Sequence, residues 1–279
     1  MAVYVISDIH GALAALQKLL KKARIDLAGG DELFLLGDYI DWGVRSMETL
    51  LFVMRLTQGE TSEHVHCLLG NHEEMFLHTI REHRVCPEDR KETILSSAMM
   101  NWVHTNSGIR TWMAYLDMEE AQREEIAAWL EALPLSAEAV LPDGRIYLMG
   151  HAYPYFPDMD HFPEDAERER QDAVWRRLLL REDPFANYRG ARKYEAFICG
   201  HTISARYHEE ARGDRQFKGR RPRLRRHNTV FFGERFIDID CGAKLLDVRD
   251  HADPRVREAA EKARLACLRL DDGKVFYAD

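Results

Sequence analysis

The sequence predicts an α/β fold with a mostly parallel sheet, because short apolar runs alternate with stretches of helical periodicity. The first three apolar runs are residues 3–6, 33–36 and 65–69, and each ends at a polar cluster. The carboxyl ends of parallel strands lie at one edge of a sheet, so we expect these clusters to meet there. The same pattern therefore predicts the fold class and the place of a functional site.

Helices are expected between these strands. Leucine and alanine recur at helical spacing over residues 13–23, with lysines on the other faces. We expect Gly29 and Gly30 to end that helix. Ser46 is predicted to cap a second helix, because serine accepts hydrogen bonds from the first helical N–H groups.

The remainder of the chain is expected to complete one domain over residues 1–279, since no repeat, low-complexity linker or clear boundary divides it. Residues 88–134 have mainly helical patterning and predict a helical insertion on the main sheet. Residues 206–228 are predicted to form a basic loop near the site, either solvated or attracting an anionic substrate or RNA. Further strands are predicted at residues 145–149, 196–199, 229–232 and 236–240, with a terminal hairpin of 266–270 and 274–277.

Composition excludes several classes of protein. The chain has 279 residues, is 46% hydrophobic and carries a net charge of −8, which opposes general nucleic-acid binding, so we expect no nucleic-acid partner. No apolar run is long enough to cross a bilayer, so no membrane association is expected, and a secretory signal pattern is absent from the start. The five cysteines are widely spaced and lack a Cys-x-x-Cys pair, which argues against a disulfide framework. A cytoplasmic protein with reduced thiols is expected.

Five polar clusters carry the strongest chemical signal. In an extended segment, residues two apart point to the same side, so Asp8 and His10 are able to bind one metal ion. Carboxylate, imidazole and amide groups together suit manganese, iron or zinc better than calcium or magnesium. A single such cluster is weak evidence, but five at successive strand ends predict a shared metal site. The clusters are Asp8-Ile9-His10, residues 37–41, residues 70–73, Gly150-His151 and Gly200-His201.

In this order the clusters resemble the motifs of the calcineurin-like metallophosphoesterases, specifically their phosphoprotein phosphatase branch in its bacterial and bacteriophage form. The resemblance spans nearly the whole chain, and it implies a four-layer α-β-β-α sandwich, two sheets flanked by helices. The motif segments are Ser7-Asp8-Ile9-His10-Gly11 and residues 37–43, 70–73, 150–154, 200–202 and 236–243.

The resemblance also implies a binuclear metal centre. Two divalent ions are expected, with Mn²⁺ the first expectation and Fe or Zn²⁺ as alternatives. Asp38 would bridge the two ions. Ile203 stands where the nuclease branch has a second histidine, which favours the phosphatase and dinucleoside tetraphosphatase branch. The implied ligands are Asp8, His10 and Asp38 for the first ion, and Asp38, Asn71, His151 and His201 for the second.

The expected chemistry is attack on phosphorus by a hydroxide. Two cations about 4 Å apart share a water, lower its pKa and stabilise the attacking and phosphoryl oxygens. His72 adjoins Asn71 without being an implied ligand, so we predict that it is the general acid that protonates the leaving group. Asp41 is predicted to accept the other N–H of His72, which would fix the tautomer and raise the imidazole pKa. The alternative for Asp41 is a turn-forming role.

Three further residues are predicted to contact the substrate. The family's second motif usually has arginine directly after its second aspartate, where it binds the substrate phosphate, and this sequence has Trp42 there. Arg45 is the nearest replacement for that charge. Trp42 either stacks on an aromatic group or packs beneath a loop. Arg177 lies in a Trp-x-Arg segment similar to that of the bacteriophage enzymes. It is predicted to bind phosphate oxygens bidentately, through two parallel hydrogen bonds.

The main functional prediction is a two-metal serine/threonine phosphatase-like phosphomonoesterase, with a phosphorylated protein, a phosphopeptide or a small phosphate ester as its partner. The alternative is a dinucleoside polyphosphate hydrolase of the diadenosine tetraphosphate type, since that group shares the motifs. A non-catalytic scaffold is disfavoured, because every implied ligand and both acid–base residues are present.

Overall fold

The computed structural model describes residues 1–86, 96–156, 163–186, 188–216 and 227–279. Within these residues the backbone forms two five-stranded sheets with helices around them. No helix in the described ranges is both long and apolar enough to cross a bilayer. All five cysteines are free thiols, and four of them are buried.

The first sheet has the strand order β10-β9-β1-β2-β3. Its β1–β2 and β2–β3 pairs are parallel, whereas β9 runs antiparallel to both of its neighbours. The three parallel strands therefore end at one edge, directly before the first three polar clusters. The strands are β1 (Val3–Ile6), β2 (Glu32–Leu35), β3 (Val65–Cys67), β9 (Leu265–Arg269) and β10 (Lys274–Ala278).

The second sheet has the order β4-β5-β6-β8-β7. Its three central strands are parallel, and an antiparallel strand lies at each edge. The prediction of a mostly parallel sheet is therefore corrected to two mixed sheets, each with a parallel centre. The strands are β4 (Ser136–Val140), β5 (Ile146–Gly150), β6 (Tyr194–Cys199), β7 (Phe231–Phe232) and β8 (Phe236–Asp238).

The helices pack on the outer faces of the two sheets. The helices are α1 (Leu13–Ala23), α2 (Ser46–Leu56), α3 (Asn71–Val85), α4 (Ser97–Met100), α5 (Ile109–Leu116), α6 (Glu120–Ala132), α7 (Pro163–Trp175), α8 (Ala205–Gly213) and α9 (Pro254–Lys262). A π-helical turn covers Asn101–Thr105, and 3₁₀ helices cover Ser62–His64, Ala191–Lys193 and Ala243–Val248.

Alternation along β1 shows how the layers form. Val3 and Val5 belong to the apolar layer between the sheets, which also contains Met149 and Ile198 from the second sheet. Tyr4 and Ile6 alternate with these valines and lie in the outer core that packs against helices, because side chains two apart in a strand share a face. A third core lies on the outer face of the second sheet. These layers confirm the four-layer α-β-β-α sandwich.

Several predicted boundaries are corrected. Helix α1 ends at Ala23 with Arg24 in the left-handed conformation, at φ 57°, rather than at the Gly29-Gly30 pair. Ser46 does not cap α2, because its Oγ accepts the N–H of Asp41 at 2.8 Å instead. The edge strand β4 was not predicted.

The helical insertion predicted for residues 88–134 is helical from residue 97 onward, and residues 87–95 lie outside the described part. Trp102 and Trp112 join Phe76 of α3 in one buried core, which anchors the insertion beside the first sheet. Helix α8 covers the start of the predicted basic loop, so that loop begins after Gly213. Its most basic residues, 217–226, lie outside the described residues. The single-domain organisation stays a prediction.

Candidate metal centre and active site

All six implied ligands lie together at the carboxyl ends of the parallel strands. Every one is buried, with at most 8% of its surface exposed. The two sheets pack face to face, so the carboxyl ends of their parallel strands lie close together and side chains from distant parts of the chain converge. The six residues are Asp8 after β1, Asp38 after β2, Asn71 after β3, His151 after β5, and His10 and His201 in the loops after β1 and β6.

Asp38 lies at the centre of this cluster. Its Oδ2 is 3.4 Å from His10 Nε2, and its Oδ1 is 3.4 Å from His151 Nε2. Ligand atoms of Asp38, His151 and His201 all lie within 4.8 Å of one another, and so do those of His10, Asp38 and His72. One carboxylate thus belongs to two groups, which is the geometry that a bridging ligand requires.

In each of the three predicted histidine ligands, one ring nitrogen is hydrogen-bonded to a backbone carbonyl oxygen. The remaining nitrogen points inward, as in metal sites where an outer hydrogen bond sets the tautomer. Two of these inward nitrogens, His151 Nε2 and His201 Nδ1, lie 2.9 and 3.0 Å from Asn71 Oδ1. The carbonyl contacts are His10 Nδ1 to Ile40 at 3.0 Å, His151 Nδ1 to Leu36 at 2.9 Å and His201 Nε2 to Trp175 at 3.1 Å.

Asp8 is held by its neighbours at the edge of the cluster. Both of its carboxylate oxygens accept the backbone N–H of His201 at 3.0 Å, and Oδ2 also accepts the Ser7 hydroxyl at 2.5 Å. A Cβ atom on Gly200 would lie 1.9 Å from Asp8 Oδ2. Only glycine therefore permits the loop after β6 to approach Asp8 this closely.

The backbone around the cluster is strained. Asp8, His10, Asp38, Asp41 and His201 all have positive φ, between 48° and 69°. Non-glycine residues seldom adopt this conformation, and each instance costs about 1–3 kcal/mol. Here it turns consecutive side chains toward one centre. Hydrogen bonds between the loops, such as His10 N–H to the Asp38 carbonyl at 2.9 Å, maintain these turns.

The electrostatics of the cluster fit bound cations. Burial, followed by the neighbouring Asp8, raises the pKa of Asp38 well above its usual range. Burial also lowers the pKa of His10 and of His201 below that of a free imidazole. The histidines of the cluster therefore supply no compensating positive charge, and divalent ions would supply it. Carboxylate, amide and inward-facing imidazole donors match the preferences of a transition metal.

The predicted acid–base pair is in contact. His72 Nδ1 lies 2.6 Å from Asp41 Oδ2, and His72 Nε2 faces the cluster at 4.0 Å from Asp38 Oδ2. Two residues of the helical insertion also donate hydrogen bonds to Asp41. Trp102 Nε1 donates to Asp41 Oδ2 at 2.6 Å, and the Thr111 hydroxyl donates to Asp41 Oδ1 at 2.5 Å. These hydrogen bonds orient the carboxylate toward His72.

The expected rise in the pKa of His72 is not found. Burial, followed by the charge of Lys244, lowers the pKa of His72 to about 3, and burial raises the pKa of Asp41 to about 7. Removal of the ring from water is the largest cause of the lowered pKa of His72, since burial disfavours the charged imidazolium. The resting imidazole is therefore neutral, with Nδ1 bonded to Asp41 and Nε2 facing the cluster.

Glu73 is a positioning residue that the sequence did not single out beyond its place in the third cluster. It is fully buried, and its carboxylate accepts the N–H groups of Asp38 at 2.7 Å and Tyr39 at 2.8 Å. It also accepts the N–H of Gly70 at 3.2 Å. Burial raises the pKa of Glu73 to about 8. Glu73 thus connects the loop after β3 to the loop that presents Asp38.

The two arginines predicted to contact the substrate lie in different surroundings. Arg177 lies beside the cluster, where its Nη1 donates to the His201 carbonyl at 3.0 Å and to Thr202 Oγ1 at 2.8 Å. Arg45 is instead an exposed residue whose Nε lies 3.8 Å from Glu48 Oε1. Arg45 therefore has a surface partner, whereas Arg177 is positioned beside the site.

Trp42 lies next to Asp41 with a half-buried ring and a φ of 61°. The ammonium of Lys244 lies 5.4 Å from the ring centroid. The sequence predicted that this ring either stacks on a substrate or packs beneath a loop. In the structure, a cation lies over the ring. Lys244 was not identified from the sequence, because it lies 202 positions from Trp42 and follows the last motif segment without belonging to it.

Comparisons with curated proteins give matches over part of this chain. Curated relatives include the symmetrical bis(5'-nucleosyl)-tetraphosphatase of Actinobacillus pleuropneumoniae serotype 3, which is 32% identical over 158 residues, covering 52% of this chain and 54% of that protein. The corresponding protein of Psychromonas ingrahamii is 35% identical over 115 residues, covering 41% of this chain and 38% of that protein. The matches thus span about half or less of the relatives' own length.

Among solved structures, a protein serine/threonine phosphatase from Saccharomyces cerevisiae superposes with a TM-score of 0.51 at 15% identity. The match covers 99% of this chain and 78% of that one. At this level of identity the likeness concerns the fold alone.

The sandwich and its buried Asp–His cluster define a metal-dependent phosphoesterase. The sequence model of the calcineurin-like phosphoesterases matches residues 1–233. The chain therefore belongs to the calcineurin-like phosphoesterase family, whose members use a binuclear metal centre.

Proposed function

We propose that this enzyme hydrolyses dinucleoside polyphosphates of the diadenosine tetraphosphate type. The observation that carries the proposal is the name shared by the curated relatives cited above, which are symmetrical bis(5'-nucleosyl)-tetraphosphatases. They favour the alternative drawn from the sequence over its main prediction, a serine/threonine phosphatase-like phosphomonoesterase. A phosphoprotein substrate has no comparable support.

An indole beside the cluster fits a nucleoside substrate. The Trp175 ring lies 6.3 Å from the His201 ring, and its Nε1 donates to Glu74 Oε2 at 2.8 Å. Trp175 also lines a cavity of about 370 Å³, which is within the usual range for small-molecule sites. Aromatic rings stack on nucleobases, whereas a phosphoserine side chain offers them nothing to stack on.

The proposed metal ligands are the six clustered residues, with Asp38 as the bridge and Mn²⁺ as the first expectation. When bound, the two ions would supply Lewis acidity and an activated water. The reaction adds water to one central phosphorus and breaks its bond to the bridging oxygen, which leaves as part of a nucleoside diphosphate. His72 Nε2 faces the cluster, so the neutral ring would first accept a proton from the attacking water and then deliver it to that departing oxygen.

The proposal predicts a clear substrate preference. Purified protein with Mn²⁺ should favour diadenosine tetraphosphate over a phosphoserine peptide by at least about 10²-fold in kcat/KM, a difference that substrate contacts can supply. Chromatography should show two ADP molecules per substrate rather than ATP and AMP. A higher kcat/KM for the phosphopeptide would restore the phosphomonoesterase interpretation. Nearly equal kcat/KM values for the two substrates would mean that the site does not recognise the nucleoside.

Arg177 is expected to contact phosphate oxygens. Removing one charge-assisted hydrogen bond costs about 1.5–3 kcal/mol, so Arg177→Ala should lower kcat/KM for diadenosine tetraphosphate by about 10- to 150-fold. Arg181→Ala is the matched control, because Arg181 is an exposed arginine that pairs with Asp214 at 3.0 Å. Equal kinetics for the two variants would show that Arg177 holds the Thr202 loop without contacting the substrate.

A further inference from the structure

The Trp42 loop lacks the arginine that the family motif has there, yet a cation occupies the space above it. Lys244 extends across the Trp42 ring, with 5.4 Å between its ammonium and the ring centroid. An ammonium over an indole face is attracted by the ring quadrupole, which also orders the flexible lysine stem. The pair therefore presents a positioned positive charge beside Asp41.

The segment that carries Lys244 is fixed relative to the Trp42 loop. Lys244 is on the 3₁₀ helix Ala243–Val248, and the adjacent Ala243 is buried with 2% exposure. Asp247 of the same helix accepts the backbone N–H of Val44 at 2.8 Å. This hydrogen bond joins the two segments that bring Lys244 and Trp42 together.

The charge of Lys244 lies near the cluster. Trp42 directly follows Asp41, whose Oδ2 lies 2.6 Å from His72 Nδ1, so the ammonium over the Trp42 ring lies beside the acid–base pair. Within the described residues, no carboxylate lies within ion-pair distance of the Lys244 ammonium. The ammonium is thus close to the cluster and free to bind an anion.

We propose that Lys244, supported by Trp42, binds a phosphate oxygen of the substrate in the place of the arginine that this chain lacks. The inference rests on the proposed phosphate-ester hydrolysis and names one more residue of that site. A lysine is a compact point charge on a flexible stem, whereas arginine matches one phosphate group in a fixed fork. Such a charge can follow a polyphosphate chain, which presents several anionic oxygens.

Inorganic phosphate is the probe, measured as a competitive inhibitor of p-nitrophenyl phosphate hydrolysis. Lys244→Met keeps an unbranched apolar stem over Trp42 and removes only the charge, so we expect the phosphate Ki to rise about ten-fold or more, as for one charge-assisted hydrogen bond. Lys244→Gln is the second variant, and Lys244→Arg should stay within about three-fold of the wild type. Arg249→Ala is the control, because Arg249 lies at the end of the same 3₁₀ helix and pairs with Asp279 at 3.9 Å.

The outcomes are decisive in either direction. A raised Ki in the Met and Gln variants, with unchanged metal content and an unchanged Arg249→Ala control, supports a phosphate contact. An unchanged Ki overturns it, even if turnover falls. Loss of bound metal would mean that Lys244 only balances the charge of the buried carboxylates, and would also overturn it. Because p-nitrophenyl phosphate carries no nucleoside, the result does not depend on whether diadenosine tetraphosphate is the substrate.

Discussion

Asp38→Asn is expected to lower p-nitrophenyl phosphate hydrolysis by about 10³-fold, corresponding to roughly 4 kcal/mol of lost transition-state stabilisation. Asp38 belongs to both groups of ligand atoms, so its replacement affects two predicted metal sites together. An amide of nearly the same shape removes the charge but keeps the local packing. Metal content, measured on the same samples, should fall from two ions per chain, and chelator should abolish wild-type activity.

The stability of the metal-free protein provides an independent readout. Asp38 is buried next to Asp8, and that environment disfavours its ionised form. Asp38→Asn should therefore raise the melting temperature without metal and reduce the further rise that metal produces. Asp117→Asn is the control, since Asp117 is exposed at the end of α5. Full activity in chelator-treated, metal-free protein would rule out the two-metal mechanism.

His72→Asn should slow an alkyl phosphate by about 10²–10⁴-fold, the usual contribution of general acid catalysis. An alkoxide leaving group has a very high pKa and needs a proton, whereas nitrophenolate leaves readily without one. A nucleoside diphosphate leaves through a phosphate oxygen whose pKa is about 6, so diadenosine tetraphosphate should resemble p-nitrophenyl phosphate. The expected signature is a loss that grows with the pKa of the leaving group.

Thr111→Val should also slow hydrolysis more for leaving groups of higher pKa, but by a smaller factor than His72→Asn. The reason is that it removes one of the hydrogen bonds that orient Asp41. His78→Asn is the matched control, since His78 is an exposed histidine on α3 that pairs with Glu82 at 3.2 Å. Equal losses on all substrates at full metal occupancy would assign His72 to binding or to positioning of the nucleophile. Loss of metal would make His72 a ligand, as its place beside His10 and Asp38 permits.

The residues that meet in the cluster could be recognised from the sequence because their signal is local. Each predicted ligand follows a short apolar run, and a strand that ends at a polar cluster can be recognised from a few adjacent residues. The contact between His72 and Asp41 was also predicted, because both lie in recognised motifs. The edge strand β4 was missed because its buried residues are mostly small, and Ala139 alone gives little hydrophobic signal.

Arg45 and Lys244 show the limit of local inference. Arg45 is near Trp42 in the chain, and this proximity suggested it as the replacement for the missing arginine. In the fold, Arg45 faces solvent and Glu48, while Lys244 reaches Trp42 from 202 positions away. Proximity along the chain therefore did not reveal the cation that lies over the Trp42 ring, because the 3₁₀ helix packs onto this loop through the Val44–Asp247 hydrogen bond.

By itself, the sequence determined the α/β alternation, the strands that carry the clusters, the residues that supply ligand chemistry and their order along the chain. These properties depend on periodicity and residue type, which each segment carries without reference to the others. Only the tertiary structure decided which nitrogen of each histidine faces inward, the supports of Asp41 from Trp102 and Thr111, and the cation over Trp42. Those features require contacts between segments 26 or more residues apart, and packing of the two sheets and the insertion brings such segments together.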